Sequence, residues 1–239
     1  MLTAVNAPST SASVATLVMA RLVPTFRAAA DPVAAGPMRA YMRDQFAYLG
    51  LRAPHQRALA RTVLAGLPVP TEADLRAVAL ACWDLPEREF QYFAGDWLRR
   101  HAGSCSAGFL DTVHYLITTK PWWDTVDTLA AHVVGPLAAR YPTVVSTMDA
   151  WAIDDHPWLV RTAILHQLTF RSGTDADRLF GYCAAQAGHP DFFIRKAIGW
   201  ALREYSKTDA AAVRAFVDAH RGQLSGLSIR EALKHLVSR

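Results

Sequence analysis

The chain is poor in the residues that build metal sites and disulfide frameworks. Its 239 residues include three cysteines, Cys82, Cys105 and Cys183, and no two of them form a CxxC pair. The nine histidines are dispersed, and no HExxH motif occurs. We therefore expect neither a metal site nor a disulfide framework, and buried thiols in a reducing compartment are the simplest interpretation.

Motifs that hold phosphates or present a serine nucleophile are missing as well. The sequence contains no glycine-rich phosphate loop and no GxSxG motif. No apolar segment reaches the length of a membrane span. These absences predict a cytoplasmic protein without a cofactor and without a membrane partner. If the protein is an enzyme, its chemistry needs little apparatus.

The composition indicates a folded protein with a mild basic bias. Hydrophobic residues make up 51% of the chain and charged residues 19%, which is ample material for a core. The formal net charge is +4 at pH 7. This charge is compatible with a polyanionic partner such as a nucleic acid, although many basic proteins bind nothing acidic.

Apolar residues recur at three- to four-residue spacing from end to end, which predicts an all-α protein. Residues 14–26 are apolar but contain Arg21 and follow no basic segment, so they indicate an amphipathic helix and not a signal peptide. We expect residues 1–12 to form a loose tail. No charge run or linker divides the chain, which favours a single domain over residues 1–239.

Prolines predict where many of the helices begin, because proline suits the first helical turn. Helix-like segments open at intervals of 32, 35, 36 and 33 residues, at Pro54, Pro86, Pro121, Pro157 and Pro190. A sixth start is predicted at Ser228, which has capping-box spacing to Glu231. Regular starts favour a HEAT-like helical-repeat solenoid with a concave face. The alternative is an irregular helical bundle in which the prolines fall by chance.

The segment opened by Pro121 reads PWWDTVD and carries the first candidate site residues. On a helix, Trp123 and Asp127 share one face, whereas Trp122 lies on another face with Val126. Asp124 falls in the first turn, where a negative charge suits the helix dipole. We therefore interpret Asp124 as structural and Asp127 as functional.

The next two repeats add basic and aromatic residues. Arg161 interrupts an apolar stripe in PWLVRTAIL, and Trp200 lies among the basic residues Arg195, Lys196 and Arg203. If the three segments are equivalent helices, these groups meet in one groove. The alternative is that the tryptophans are core residues and that Arg161 pairs with Asp127 to satisfy a buried charge.

At these residues the sequence resembles the AlkD-like DNA alkylation repair family. The resemblance runs from about Met38 to the C-terminus. The matching stretches are residues 38–57, 88–98, 119–127, 194–208 and 228–235, and WWDTVD and KAIGWALREY are the most specific strings. The resemblance implies a HEAT-like solenoid with a concave basic groove that holds duplex DNA.

The resemblance also implies roles for individual residues. Asp127, Trp123 and Trp200 would be catalytic, and Arg161 would hold a backbone phosphate. Further candidates for phosphate binding are Arg195, Lys196, Arg203 and Lys207. The implied activity is that of a monomeric DNA glycosylase that excises cationic alkylated purines from duplex DNA. The alternative is a non-catalytic HEAT-like scaffold that binds DNA or protein.

Overall fold

All regular secondary structure in the computed structural model is helical over residues 12–236, which are the residues that the structure describes. The helices are α1 (Val14–Ala28), α2 (Pro32–Tyr41), α3 (Ala53–Leu64), α4 (Glu72–Asp84), α5 (Arg88–His101), α6 (Leu110–Thr118), α7 (Trp123–Leu129), α8 (Gly135–Arg140), α9 (Pro142–Trp151), α10 (Pro157–Leu165), α11 (Ala176–Ala185), α12 (Phe192–Tyr205), α13 (Ala210–Ala219) and α14 (Gly226–Leu233). A π-helical segment, Ala130–Val134, joins α7 to α8. The all-α prediction is confirmed, and the arrangement is consistent with a helical-repeat architecture.

The prolines mark helix starts as predicted. Pro54 and Pro157 lie within the first two residues of α3 and α10. Pro86, Pro121 and Pro190 each precede a helix by two residues. The predicted amphipathic helix is α1, whose buried residues recur at three- to four-residue spacing. Within residues 12–236, no helix combines the length and the apolarity that crossing a membrane requires. Apart from the exposed Ala12, the predicted tail lies outside the described residues.

The prediction that Ser228 caps the last helix is wrong, because the capping residue is Ser225, three residues earlier. Helix α14 begins at Gly226, and the hydroxyl of Ser225 caps it by accepting the backbone N–H of Ser228 at 3.0 Å. Ser228 itself is buried, and its hydroxyl donates to the backbone oxygen of Arg195. Glu231 is therefore not a capping residue, and its carboxylate is available for tertiary contacts.

The chain divides into two compact units, Met1–Ala94 and Gly95–Arg239. In the first unit, the buried carboxylate of Glu89 accepts the backbone N–H groups of Leu49, Gly50 and Leu51 at 2.8–3.1 Å. Gly50 has a φ of +91°, and a Cβ there would lie 2.0 Å from the backbone oxygen of Asp31. This turn therefore requires glycine.

In the second unit, α10 packs against both α7 and α12, and α12 packs against α14. A Cβ on Gly199 would lie 2.5 Å from the Cβ of Glu231, so glycine at this position lets α12 and α14 approach closely. The neighbouring helices α7, α10 and α12 carry Asp127, Arg161 and Trp200, respectively. All of the candidate site residues lie in this unit.

Candidate functional site

An ion pair between Asp127 and Arg161 forms the centre of the candidate site. The guanidinium donates Nε–H to one carboxylate oxygen at 2.7 Å and Nη2–H to the other at 2.8 Å. Only 5% of the Arg161 side chain and 14% of the Asp127 side chain are exposed. Because the pair is bidentate, the arginine fixes the orientation of the carboxylate in addition to balancing its charge.

A third donor of the same guanidinium is also engaged. Nη1 of Arg161 donates to the backbone oxygen of Phe193, in the first turn of α12. Burial raises the pKa of Asp127 and the nearby Asp124 adds to this, whereas the hydrogen bonds and the charge of Arg161 act to lower it. Arg161 is therefore the group that favours the ionised carboxylate against the effect of burial.

Three aromatic side chains contact one another at the starts of the three helices that hold the ion pair. Trp122 precedes α7, Trp158 is the second residue of α10, and Phe193 is the second residue of α12. Their ring centroids lie 5.0–5.9 Å apart, with interplanar angles between 41° and 64°. We refer to Trp122, Trp158 and Phe193 as the aromatic cluster.

The two tryptophans expected to be catalytic are half-buried. Trp123 opens α7, one turn before Asp127, and Trp200 lies in the middle of α12. Within residues 12–236, Trp200 makes no ring contact with another aromatic side chain. The structure therefore brings Asp127 and Arg161 into direct contact, and their joint action with the two tryptophans stays a prediction.

The geometry of Arg161 differs from the phosphate-binding role predicted for it. Its Nε, Nη1 and Nη2 are all engaged inside the protein, and its side chain is almost fully buried. The second N–H groups of Nη1 and Nη2 remain for a phosphate, but with so little of the side chain exposed, such a contact would require the site to rearrange. In this arrangement Arg161 orients Asp127, which matches the alternative weighed from the sequence.

The other predicted phosphate-binding residues also have partners. The carboxylate of Glu231 accepts Nζ–H of Lys196 at 2.9 Å and Nη1–H of Arg203 at 2.6 Å. The ammonium of Lys196 lowers the pKa of Glu231, with a smaller contribution from Arg203. Lys207 pairs with Glu204 at 2.6 Å, and Arg195 donates Nε–H to the backbone oxygen of His189 at 2.8 Å. Helical spacing can place Glu204 beside Lys207, but no local pattern shows that Glu231 pairs with Lys196 and Arg203.

A cavity of about 290 Å³ lies near the C-terminal ends of α10 and α12. Ile164, Leu168 and Leu179 form part of its wall, and Arg171 and Lys207 add charged groups. None of the predicted catalytic residues lines it. Within residues 12–236, no group of three or more histidine, cysteine or acidic side chains is arranged to hold a metal ion.

Sequence reasoning missed three parts of this site. The pairing of Glu231 with two cations was missed because its spacing from Ser228 matches that of a capping box. The contribution of Phe193 is a backbone oxygen, which no side-chain pattern indicates. The aromatic cluster could have been predicted from the sequence, since its members are 36 and 35 residues apart and therefore recur at the same interval as the helix starts.

Comparison with known proteins decides the family. The model of a family described as DNA alkylation repair enzyme matches residues 22–236. The chain belongs to the DNA alkylation repair family. The resemblance identified from the sequence is therefore confirmed, and membership supports a role in the repair of alkylation damage.

Among solved structures, this family member is similar to one described as a predicted DNA alkylation repair enzyme from Enterococcus faecalis. The two chains are 30% identical, with a TM-score of 0.79, and the match covers 88% of this chain and 98% of that chain. Comparison with curated proteins gives no match.

Proposed function

We propose that this member of the DNA alkylation repair family is a DNA N-glycosylase that excises cationic alkylated purines, such as 7-methylguanine and 3-methyladenine, from duplex DNA. The observation that carries the proposal is the Asp127 carboxylate, which is largely buried and oriented by a bidentate arginine. A protein that only bound phosphates would gain nothing from a buried carboxylate, because the charges repel.

The chemistry of a cationic lesion suits a single carboxylate. Alkylation at N7 or N3 places a positive charge on the purine. When the N-glycosidic bond breaks, its electron pair neutralises that charge, so the base leaves without a general acid. The deoxyribose becomes oxocarbenium-like, and the nearby Asp127 carboxylate stabilises its charge. A water oxygen then bonds to C1′, and the proton that it loses passes to the carboxylate or to solvent.

Each remaining site residue has a role in this proposal. Trp123 and Trp200 contact the deoxyribose and the cationic base, and cation–π attraction favours a charged lesion over a neutral one. Arg161 orients Asp127 and favours its ionised form against the effect of burial. Arg195, Lys196, Arg203 and Lys207 meet backbone phosphates, which positions the duplex without reading its sequence. Their attraction for phosphates is partly offset by neighbouring carboxylates, because Glu231 pairs with Lys196 and Arg203, and Glu204 pairs with Lys207.

The partner in this proposal is duplex DNA that carries an alkylated base, and the enzyme acts as a cytoplasmic monomer without a cofactor. The lesion is sensed through its charge and through the weakened pairing of the duplex. This differs from glycosylases that flip the base into a deep pocket.

Release of free base from lesion-containing duplexes tests the proposal. Duplexes with one 7-methylguanine or one 3-methyladenine are incubated with the protein, and free base is separated from DNA by chromatography. The expected result is that the protein releases both cationic bases faster than they leave protein-free duplex spontaneously, with no such acceleration for a duplex that carries a neutral lesion. Tight duplex binding without any release would instead favour the non-catalytic scaffold.

A further inference from the structure

The aromatic cluster joins the starts of three helices that between them hold the whole ion pair. Trp122 is the residue before α7, which carries Asp127, and Trp158 is in the first turn of α10, which carries Arg161. Phe193, in the first turn of α12, supplies the backbone oxygen that accepts from Arg161. Each ring of the cluster therefore belongs to a segment that fixes one part of the site.

The backbone at Phe193 is itself held in place. The carboxylate of Asp191 caps α12 by accepting the N–H groups of Phe193 and Ile194 at 2.6 and 3.1 Å. The N–H of Asp191 donates to Nδ1 of His189 at 3.0 Å. The acceptor of Arg161 is thus set by a capped helix end, and the Phe193 ring secures that end against Trp122 and Trp158.

Packing dominates hydrogen bonding within the cluster. The indole Nε1–H of Trp122 is buried and finds no hydrogen-bond partner among residues 12–236. An unsatisfied buried donor costs about 1–3 kcal/mol. Trp122 therefore contributes through the shape and area of its ring, and stacked or edge-on aromatic pairs are worth about 0.5–1.5 kcal/mol beyond burial.

We propose that Trp122, Trp158 and Phe193 are positioning residues, which lock α7, α10 and α12 in the register that places the Arg161 guanidinium against both the Asp127 carboxylate and the Phe193 backbone oxygen. The inference deepens the proposed function, since the carboxylate that it positions is the one proposed to act on the lesion. Loosening the cluster leaves every group of the ion pair present but misaligns the guanidinium.

The pKa of the Asp127 carboxyl in DNA-free protein, measured by carbon-13 NMR, reports this alignment directly. The charged groups that act on this carboxyl are Arg161 from α10 and Asp124 from its own helix. Phe193→Ala and Trp158→Ala are expected to raise the pKa of Asp127, in the same direction as Arg161→Met. Trp158→Phe, which keeps an aromatic ring, is expected to restore most of the wild-type value.

A matched control is available in the same unit. Phe180 is also half-buried and stacks on Phe216, with ring centroids 4.9 Å apart. It also contacts the ring of Tyr205, the last residue of α12, whereas Phe193 lies in the first turn of that helix. Phe180→Ala should cost comparable stability without moving the pKa of Asp127. An equal shift in this control, or no shift in folded Phe193→Ala and Trp158→Ala, would overturn the proposal. If Phe193→Ala does not fold, the pKa of Asp127 is measured in Phe193→Leu instead, which also removes the aromatic ring.

Single-turnover base release adds the second readout. Phe193→Ala is expected to lower the rate by about ten- to a hundredfold, as for a misplaced catalytic group. In an Arg161→Met background the same substitution should have no further effect, because the residue acts through Arg161. Additive losses would contradict the proposal. If the wild type releases no base, the proposed function fails, while the pKa measurement still decides whether the cluster aligns the ion pair.

Discussion

Replacing Arg161 by methionine is expected to destabilise the protein, because it leaves the Asp127 carboxylate without its partner. The pair is bidentate, with oxygen–nitrogen distances of 2.7 and 2.8 Å, and 5% of the arginine side chain is exposed. Removing one partner of such a buried pair costs about 3–5 kcal/mol. Exposed pairs contribute about 0–1 kcal/mol, so burial decides the magnitude.

The loss should depend on pH. Burial already raises the pKa of Asp127, and the substitution removes the group that opposes this effect, so the pKa rises further. Above the raised pKa, the folded variant holds an unpaired carboxylate and the loss is full. As the pH falls through that pKa, the carboxyl takes up a proton and becomes neutral. The free energy of unfolding of the variant then approaches that of the wild type.

Urea denaturation followed by circular dichroism, from neutral to mildly acidic pH, measures this loss. The double variant Arg161→Met/Asp127→Leu is expected to be more stable than Arg161→Met alone, because an apolar pair replaces the unpaired charge. A loss below about 1 kcal/mol at neutral pH, in the range of exposed pairs, would show that the substitution leaves no unpaired buried charge. An equal loss at every pH would show that protonation of Asp127 does not relieve it.

Three further predictions concern the same unit. Gly199→Ala should lower the free energy of unfolding by about 1–3 kcal/mol, because its Cβ would lie 2.5 Å from that of Glu231. Gly181→Ala, which lies in open space within α11, should raise the free energy of unfolding by about 0.5–1 kcal/mol, and thermal melts compare the two variants. Glu231→Gln should release its two cationic partners, so that duplex affinity rises and its salt dependence steepens in fluorescence anisotropy; unchanged binding would contradict this. Burial lowers the pKa of His166 to about 4, so NMR should show a neutral ring at pH 7, and stability should fall as the pH drops from about 6.5 towards 4. Titration of His166 near its ordinary value would contradict that assignment.

Local signals in the sequence predicted the helices well. Prolines at Pro54 and Pro157 opened α3 and α10 because their fixed φ and missing N–H suit a first helical turn. The helix start at Ser228 was wrong because Ser225 and Ser228 can both cap a helix locally. Tertiary packing decided between them, since Ser228 is needed to bond the backbone of α12.

The candidate site was predictable in its residue types but not in its pairings. Helical spacing predicted different roles for Asp124 and Asp127, the first structural and the second functional. For Arg161 the sequence left two alternatives open, a contact with a DNA phosphate or a pair with Asp127. The contact across 34 residues depends on how α7 and α10 pack, which no local pattern specifies. The same holds for Glu231, whose two cationic partners lie on α12.

Comparison of Asp124 with Asp127 tests whether Asp127 is the catalytic carboxylate, because the two residues share helix α7 and differ in partner. Asp127 is paired with Arg161, whereas Asp124 accepts the backbone N–H of Thr125 at 2.9 Å. Release of 7-methylguanine from duplex DNA is measured under single-turnover conditions for the wild type, Asp127→Asn and Asp124→Asn. If Asp127 acts on the lesion, Asp127→Asn binds the duplex but loses release, while Asp124→Asn retains it. Equal release by wild type and Asp127→Asn, or no release by any of the three despite tight binding, would exclude Asp127 as the catalytic carboxylate.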